Sequence, residues 1–119
     1  MRRILITDDE PAILRAYRRV LERSGFEVAT ADTGDEALEV LSRGDIHALI
    51  TDVCMPGISG LELARRVRAL HPAMPVIVLT GRSNATDESE ARESAARYLL
   101  KPYPPNDLIA LLKRMLDVL

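Results

Sequence analysis

Three carboxylates, one hydroxyl and one ammonium occur in this sequence at the same kind of place, the end of a short apolar run. Asp8 and Asp9 come after Ile4-Leu5-Ile6, Asp52 after Ala48-Leu49-Ile50, Thr80 after Val76-Ile77-Val78-Leu79, and Lys101 after Tyr98-Leu99-Leu100. Taken singly each has a plain role: Asp9 as a helix cap, Asp52 as the start of a turn, Thr80 as a strand residue, Lys101 as a solvated end. Gathered into one cleft they do something else. At about 5 Å and an effective dielectric of 20, each like-charged carboxylate pair costs roughly 3 kcal/mol, so a cation must offset them. All-oxygen ligands suit a hard divalent ion such as Mg²⁺, which binds through one or two carboxylates, keeps several waters and leaves room for a phosphoryl oxygen. Of 16 basic residues only Lys101 and Lys113 are lysine. A lysine at a strand end therefore points to a need for a compact point charge on a flexible stem, not a planar fork.

The elements that would gather these groups are legible as alternation. The five apolar runs are Ile4-Leu5-Ile6, Val28-Ala29-Thr30, Ala48-Leu49-Ile50, Val76-Ile77-Val78-Leu79 and Tyr98-Leu99-Leu100. Being continuous, they read as strands buried on both faces. Between them, Ile13, Leu14, Tyr17, Val20 and Leu21 form a helical stripe opened by Asp9-Glu10-Pro11 and closed at Ser24-Gly25. Thr33-Gly34-Asp35-Glu36 has capping-box spacing, Ser59-Gly60 opens a third helix stopped by Pro72, and Pro104-Pro105-Asn106 opens a terminal one that runs on through Asp117-Val118-Leu119. Strict β-α alternation predicts an α/β fold: a doubly wound five-stranded parallel sheet in the order 2-1-3-4-5. Its ligands would sit beyond the strand ends at the switch between the first and third strands. The run from Ser83 to Ala96 offers only alanines as an apolar face. A helix there buries little, and it is expected to be the least stable element.

Composition narrows the function classes. With 119 residues the chain fits one domain, taken as residues 1–119. A single cysteine excludes disulfide or zinc staples, and no apolar run approaches a membrane span or a signal-peptide core. A formal charge of −2 with interspersed signs gives no footprint for direct nucleic-acid binding. The expectation is a cytoplasmic protein without a membrane partner.

Four segments in order carry a resemblance: Ile4-Leu5-Ile6-Thr7-Asp8-Asp9-Glu10-Pro11, Asp52-Val53-Cys54-Met55-Pro56-Gly57-Ile58-Ser59-Gly60, Pro75-Val76-Ile77-Val78-Leu79-Thr80-Gly81 and Tyr98-Leu99-Leu100-Lys101-Pro102-Tyr103. Over the whole chain the sequence resembles the receiver domains of two-component response regulators, single-domain chemotaxis-type receivers among them. The resemblance implies a flavodoxin-like (βα)5 fold in which Asp52 is the phosphoacceptor, taking a phosphoryl group from a histidine kinase or histidine phosphotransfer protein. It also implies Mg²⁺, with Mn²⁺ as a substitute, held by Asp9 and Asp52 directly, by Asp8 largely through water, and by the backbone carbonyl of Cys54. Thr80 would hydrogen-bond the new phosphoryl group and Lys101 would pair with it. Thr80 and Tyr98 would form a switch acting on the face built from the fourth and fifth helices and the fifth strand, which addresses a downstream protein target and allows a phosphorylation-dependent dimer. On this reading the protein is a signalling domain with intrinsic autophosphorylation and autodephosphorylation, not an enzyme in the ordinary sense. Residues two beyond the acceptor and the threonine, Cys54 and Arg82, flank the phosphate in relatives and tune its lifetime. The Lys101-Pro102 peptide matches one that is cis in relatives.

Other readings fit less well. An aspartyl-phosphate hydrolase would want a second acid at Cys54 and a cap domain. A flavin or dinucleotide binder would want a glycine or hydroxyl-rich loop where Asp8-Asp9 stand. Neither His47, just before a strand, nor His71, beside Pro72, has the helical setting of a donor histidine, so the donor lies on another protein. Arg15, Arg18, Arg19 and Arg23 line the polar side of the first helix, a solvated face or a kinase-docking one. The expectation is a stand-alone receiver, with the receiver portion of a longer DNA-binding regulator as the alternative.

Overall fold

A computed structural model of the chain describes residues 2–81 and 84–116. Ten elements alternate: β1 (Arg3–Thr7), α1 (Pro11–Arg23), β2 (Glu27–Ala31), α2 (Gly34–Ser42), β3 (Ala48–Asp52), α3 (Gly60–Leu70), β4 (Val76–Thr80), α4 (Ala85–Glu93), β5 (Arg97–Leu100) and α5 (Pro105–Met115). The strands form one parallel sheet in the order β2-β1-β3-β4-β5, the flavodoxin-like topology that the alternation predicts. Its register levels the carboxyl ends. Thr7 lies opposite Ala31 and Thr51, Asp52 opposite Leu79, and Thr80 opposite Leu100.

Two cores follow from the pleat, because successive side chains of a strand point to opposite faces. Leu5, Leu49 and Val78 pack with Leu63 and Val67 of α3 and Ala91 of α4. Ile4, Ile6, Ile50, Ile77 and Leu79 pack with Leu21 of α1 and Leu108 and Leu112 of α5. β3 and β4 are buried throughout, as continuous apolar runs require. The expectation of burial on both faces fails for β2 and β5. Glu27, Arg97 and Leu100 are exposed, and Ala29, Thr30, Tyr98 and Leu99 are partly so. The reason is topological, since both are edge strands with a neighbour on one side only.

Local chemistry fixes the helix starts. Thr33 Oγ1 accepts from the Glu36 amide at 3.1 Å and Ser59 Oγ from the Glu62 amide at 3.1 Å. α1 starts differently: Pro11 opens it, Glu10 is the capping position without a side-chain bond, and Asp9 is not a cap. Asp8 Oδ1 instead accepts from the Glu10 amide at 3.0 Å, folding the chain from β1 into α1. After α1, Gly25 adopts φ +94°, the left-handed step expected of Ser24-Gly25.

α4 is nine residues long and buries only Ala91, in line with its lack of aliphatic side chains. Polar contacts hold its two ends. Asn84 Oδ1 accepts from the Asp87 amide at 2.8 Å at the start. At the finish Arg68 of α3 donates through Nε to the Ser94 carbonyl at 2.9 Å and through a terminal nitrogen to that of Ala95 at 3.5 Å. The guanidinium also reaches the Pro72 carbonyl. Ala95 takes φ +56°, a left-handed turn made without glycine.

Candidate functional site

The parallel register brings the strand-end residues to one edge of the sheet. Lys101, immediately after β5, reaches across it and places Nζ 2.9 Å from Asp8 Oδ2 and 3.3 Å from Asp52 Oδ1. One ammonium is thus shared by two carboxylates from strands that are neighbours at the switch point. Asp8 is 3 % exposed and Asp52 8 %. Backbone bonds that continue the ladder steady all three: the Asp8 amide donates to the Ala31 carbonyl at 3.2 Å, that of Val53 to Leu79 at 3.1 Å, and that of Lys101 to Thr80 at 2.7 Å. The Lys101-Pro102 bond is cis.

Burial pushes the Asp52 carboxyl above the ordinary carboxylate range. The Lys101 charge opposes that shift, the Asp8 charge reinforces it, and the Val53 amide opposes it again. For Lys101, burial favours the neutral amine, but the hydrogen bond and charge of Asp8, followed by Asp52, outweigh it and raise its pKa. The lysine is therefore firmly cationic at neutral pH.

One carboxylate oxygen each from Asp8, Asp9 and Glu10 lies within 4.8 Å of the others. Hard oxygen donors converging in this way fit Mg²⁺. Asp52 is not in that triplet; it joins the cluster through Lys101. Cys54, whose backbone carbonyl is the remaining expected ligand, sits in the loop after β3. Its side chain is exposed, not the semi-buried hydrophobe that a small apolar thiol suggests. Cys54 and Asp9 both line an open groove between that loop and α4.

Thr80 closes β4 and is 2 % exposed. Tyr98 lies opposite Val78 on β5, half-buried, with its hydroxyl accepting from the Asn84 amide at 3.4 Å. The two expected switch residues thus occupy adjacent strands at the entry to α4. Arg82 lies outside the described residues. His47 is engaged at the start of β3, where Nδ1 accepts from the Arg3 amide at 3.0 Å, and His71 ends α3. Arg15, Arg18, Arg19 and Arg23 line one exposed groove on α1.

Two participants escape the sequence reading. Glu10 joins the acidic cluster because the Asp8 turn folds it back, and a third consecutive acid was the available signal. Tyr17, read only as part of an apolar stripe, has its hydroxyl pKa raised mainly by burial, with Lys101, Asp8 and Asp52 all acting on it electrostatically. No periodicity distinguishes a tyrosine whose ring packs in the core while its hydroxyl senses the site.

Residues 4–113 match the model of the response regulator receiver domain. The response regulator MprA of Mycobacterium leprae is 36% identical over 115 residues, covering 96% of this chain and 50% of the relative. The chain thus spans about half the length of the curated relatives it matches. A CheY-like receiver domain protein from Methanospirillum hungatei superposes with a TM-score of 0.95 at 33% identity, over 98% of this chain and 94% of that one. The response regulator TrrA of Thermotoga maritima, solved in complex with Mg(2+)-BeF, superposes with a TM-score of 0.88 at 34% identity, over 97% and 99%. Motif order, strand topology and these matches agree, and the chain belongs to the response regulator receiver domain family.

Proposed function

We propose that Asp52 accepts a phosphoryl group from a phosphohistidine on a partner histidine kinase or histidine phosphotransfer protein. The observation that carries this reading is the shared ammonium: Lys101 lies between Asp8 and Asp52 at the carboxyl ends of adjacent strands. An Asp52 carboxylate oxygen attacks phosphorus and the P–N bond breaks. Its electron pair returns to an imidazole already protonated on its other nitrogen, which leaves neutral. The resulting acyl phosphate is later cleaved by water, restoring the carboxylate and releasing inorganic phosphate.

Each neighbouring residue has a role in that transfer. Burial strips solvent from the Asp52 carboxylate and raises its basicity, while Lys101 keeps enough of it ionised to act. Once the group is transferred, Lys101 pairs with its oxygens and Thr80 donates a hydrogen bond to it. Asp8, Asp9, Asp52 and the Cys54 carbonyl would hold Mg²⁺, with Mn²⁺ as a substitute, and the convergence of Asp8 and Asp9 with Glu10 fits a hard cation. When bound, the ion offsets the charge that gathers on the phosphoryl oxygens. The Mg(2+)-BeF complex of TrrA supports this assignment.

Output follows from the position of Tyr98. An inward movement of Thr80 toward the phosphoryl group vacates space beside β5 for the Tyr98 ring. That movement strains the bond between its hydroxyl and Asn84 at the start of α4. The face made by α4, β5 and α5 then changes for a downstream protein target in the cytoplasm.

Incubation with acetyl phosphate and Mg²⁺ followed by intact mass tests the reading. Wild type should gain one phosphoryl group, and Asp52→Ala none. Equal gain by both, or gain by neither, overturns it.

A further inference from the structure

Beside the Asp8–Lys101–Asp52 cluster an open groove of about 640 Å³ runs between the β3–α3 loop and α4. Its floor is apolar, made by Val53, Met55, Pro56 and Leu61. Its rim is acidic, with Asp9 on one side and Asp87 and Glu90 of α4 on the other. Among the described residues no lysine or arginine pairs with any of these three carboxylates. Elsewhere most ion pairs join helix neighbours, such as Arg18–Glu22, Arg43–Glu39 and Arg92–Glu88. Among the described residues the Asp87 carboxylate accepts from the neutral Asn84 side chain, at 2.9 Å, and its own amide caps back to Asn84. The Asp87 and Glu90 carboxylates thus stand over an apolar floor next to the place where a phosphoryl donor must arrive, while Asp9 belongs to the proposed metal set.

We infer that this groove receives a long cationic side chain, arginine or lysine, from the protein that delivers the phosphoryl group. The chemistry of both parts of the groove selects it. The methylene stem of such a residue covers apolar surface while its head stays at a polar rim. A cation there pairs with Asp87 and Glu90 and lowers the negative potential that an incoming phosphoryl group meets. A neutral or acidic residue would bring no counter-charge to Asp87 and Glu90. The inference rests on the proposed phosphoacceptor role for the identity of the partner, but the groove's preference for a cation can be tested without it.

The test is an NMR titration of the Mg²⁺-saturated protein with the capped tripeptide Ala-Arg-Ala, and with the same peptide carrying neutral, nearly isosteric citrulline. The arginine peptide should shift the amides of Val53, Met55, Asp87 and Glu90 along a saturating curve. In the double variant Asp87→Asn, Glu90→Gln its affinity should fall about fivefold, the factor that two exposed ion pairs supply. The citrulline peptide should give no saturating shift. Equal response to both peptides, unchanged affinity in the double variant, or no shift at the groove each overturns the inference. Intact mass after acetyl phosphate and Mg²⁺ runs in parallel. Should wild type fail to gain a phosphoryl group, the phosphoacceptor reading falls and the titration still decides the groove.

Discussion

Gly60 packs flush against the backbone of Asp52. A Cβ at residue 60 would stand 1.8 Å from the Asp52 carbonyl oxygen and 2.7 Å from its carbon, while the Gly60 amide donates to the Val53 carbonyl at 2.8 Å. The first turn of α3 is thereby held against the end of β3. Gly60→Ala must push the two apart, and because the obstacle is backbone no rotamer relieves it. We expect a loss of about 2 kcal/mol in urea unfolding, in the range of overpacked cores. Phosphorylation of the folded variant by acetyl phosphate should also be slower, because Asp52 is displaced.

Asp52 carries a stability signature of its own. Its pKa is raised in the fold, chiefly by burial, so its stabilising contribution is complete below the ordinary carboxylate pKa. That contribution is lost as pH rises through the raised value. At pH 7 the ionised carboxylate is a liability in the metal-free protein. Asp52→Asn should therefore melt higher than wild type without metal, with the gap closing toward pH 4; at this size about 1 kcal/mol reads as roughly 4 °C. Added Mg²⁺ should stabilise wild type more than the variant. A variant that melts lower than wild type at pH 7 would contradict the assignment.

Lys101→Met removes the ammonium between Asp8 and Asp52. Breaking a largely buried pair by deleting one partner costs about 3 kcal/mol. The loss should appear across neutral pH, since the raised Lys101 pKa keeps its contribution present below the ordinary lysine value and removes it only in strong base. Mg²⁺ should recover more stability in this variant than in wild type, which thermal melts with and without the ion would reveal.

Thr7 is fully buried at the end of β1, and its Oγ1 has no hydrogen-bond partner among the described residues. Replacing the hydroxyl by a methyl group of similar shape removes an uncompensated desolvation cost. Thr7→Val should stabilise the protein by about 1 kcal/mol, measured by urea denaturation, with Mg²⁺ affinity unchanged.

The turn after α4 offers a pair of opposite effects. Ala95 at φ +56° lies in a region that costs non-glycine residues about 1 kcal/mol, so Ala95→Gly should gain up to that amount. Arg68→Ala, which strips the guanidinium from the carbonyls at the end of α4, should speed amide exchange between Asp87 and Ala95 while leaving β3 and β4 protected. Uniform exchange changes across the molecule would contradict that local role.

The central strands were legible in the sequence because Ala48–Asp52 and Val76–Thr80 lie inside the sheet, where continuous apolar runs have one meaning. The edge strands were not, because Val28-Ala29-Thr30 and Tyr98-Leu99-Leu100 look alike whether one neighbour or two flank them. Asp8, Asp52 and Lys101 were gathered correctly, since in a parallel sheet residues following successive strands emerge at one edge. Their pairing was not readable, and one ammonium bridging two carboxylates is a matter of side-chain reach. Nor was the groove, because Asp87 and Glu90 meet Asp9 only once α4 is laid beside the loop after β3, whereas in sequence they read as a solvated acidic face.

α4 is anchored by Asn84 at one end and Arg68 at the other, with Ala91 its one buried side chain. Denaturants act in proportion to the surface that an opening exposes. Lifting this helix uncovers one buried side chain of its own and only the part of the core beneath it, so its amides should open with a weaker dependence on urea than those of β3 and β4, which wait for global unfolding. Temperature should act in the same way: an opening that hydrates less apolar surface carries a smaller heat-capacity change, giving a straighter van't Hoff line for α4 than for the protein as a whole.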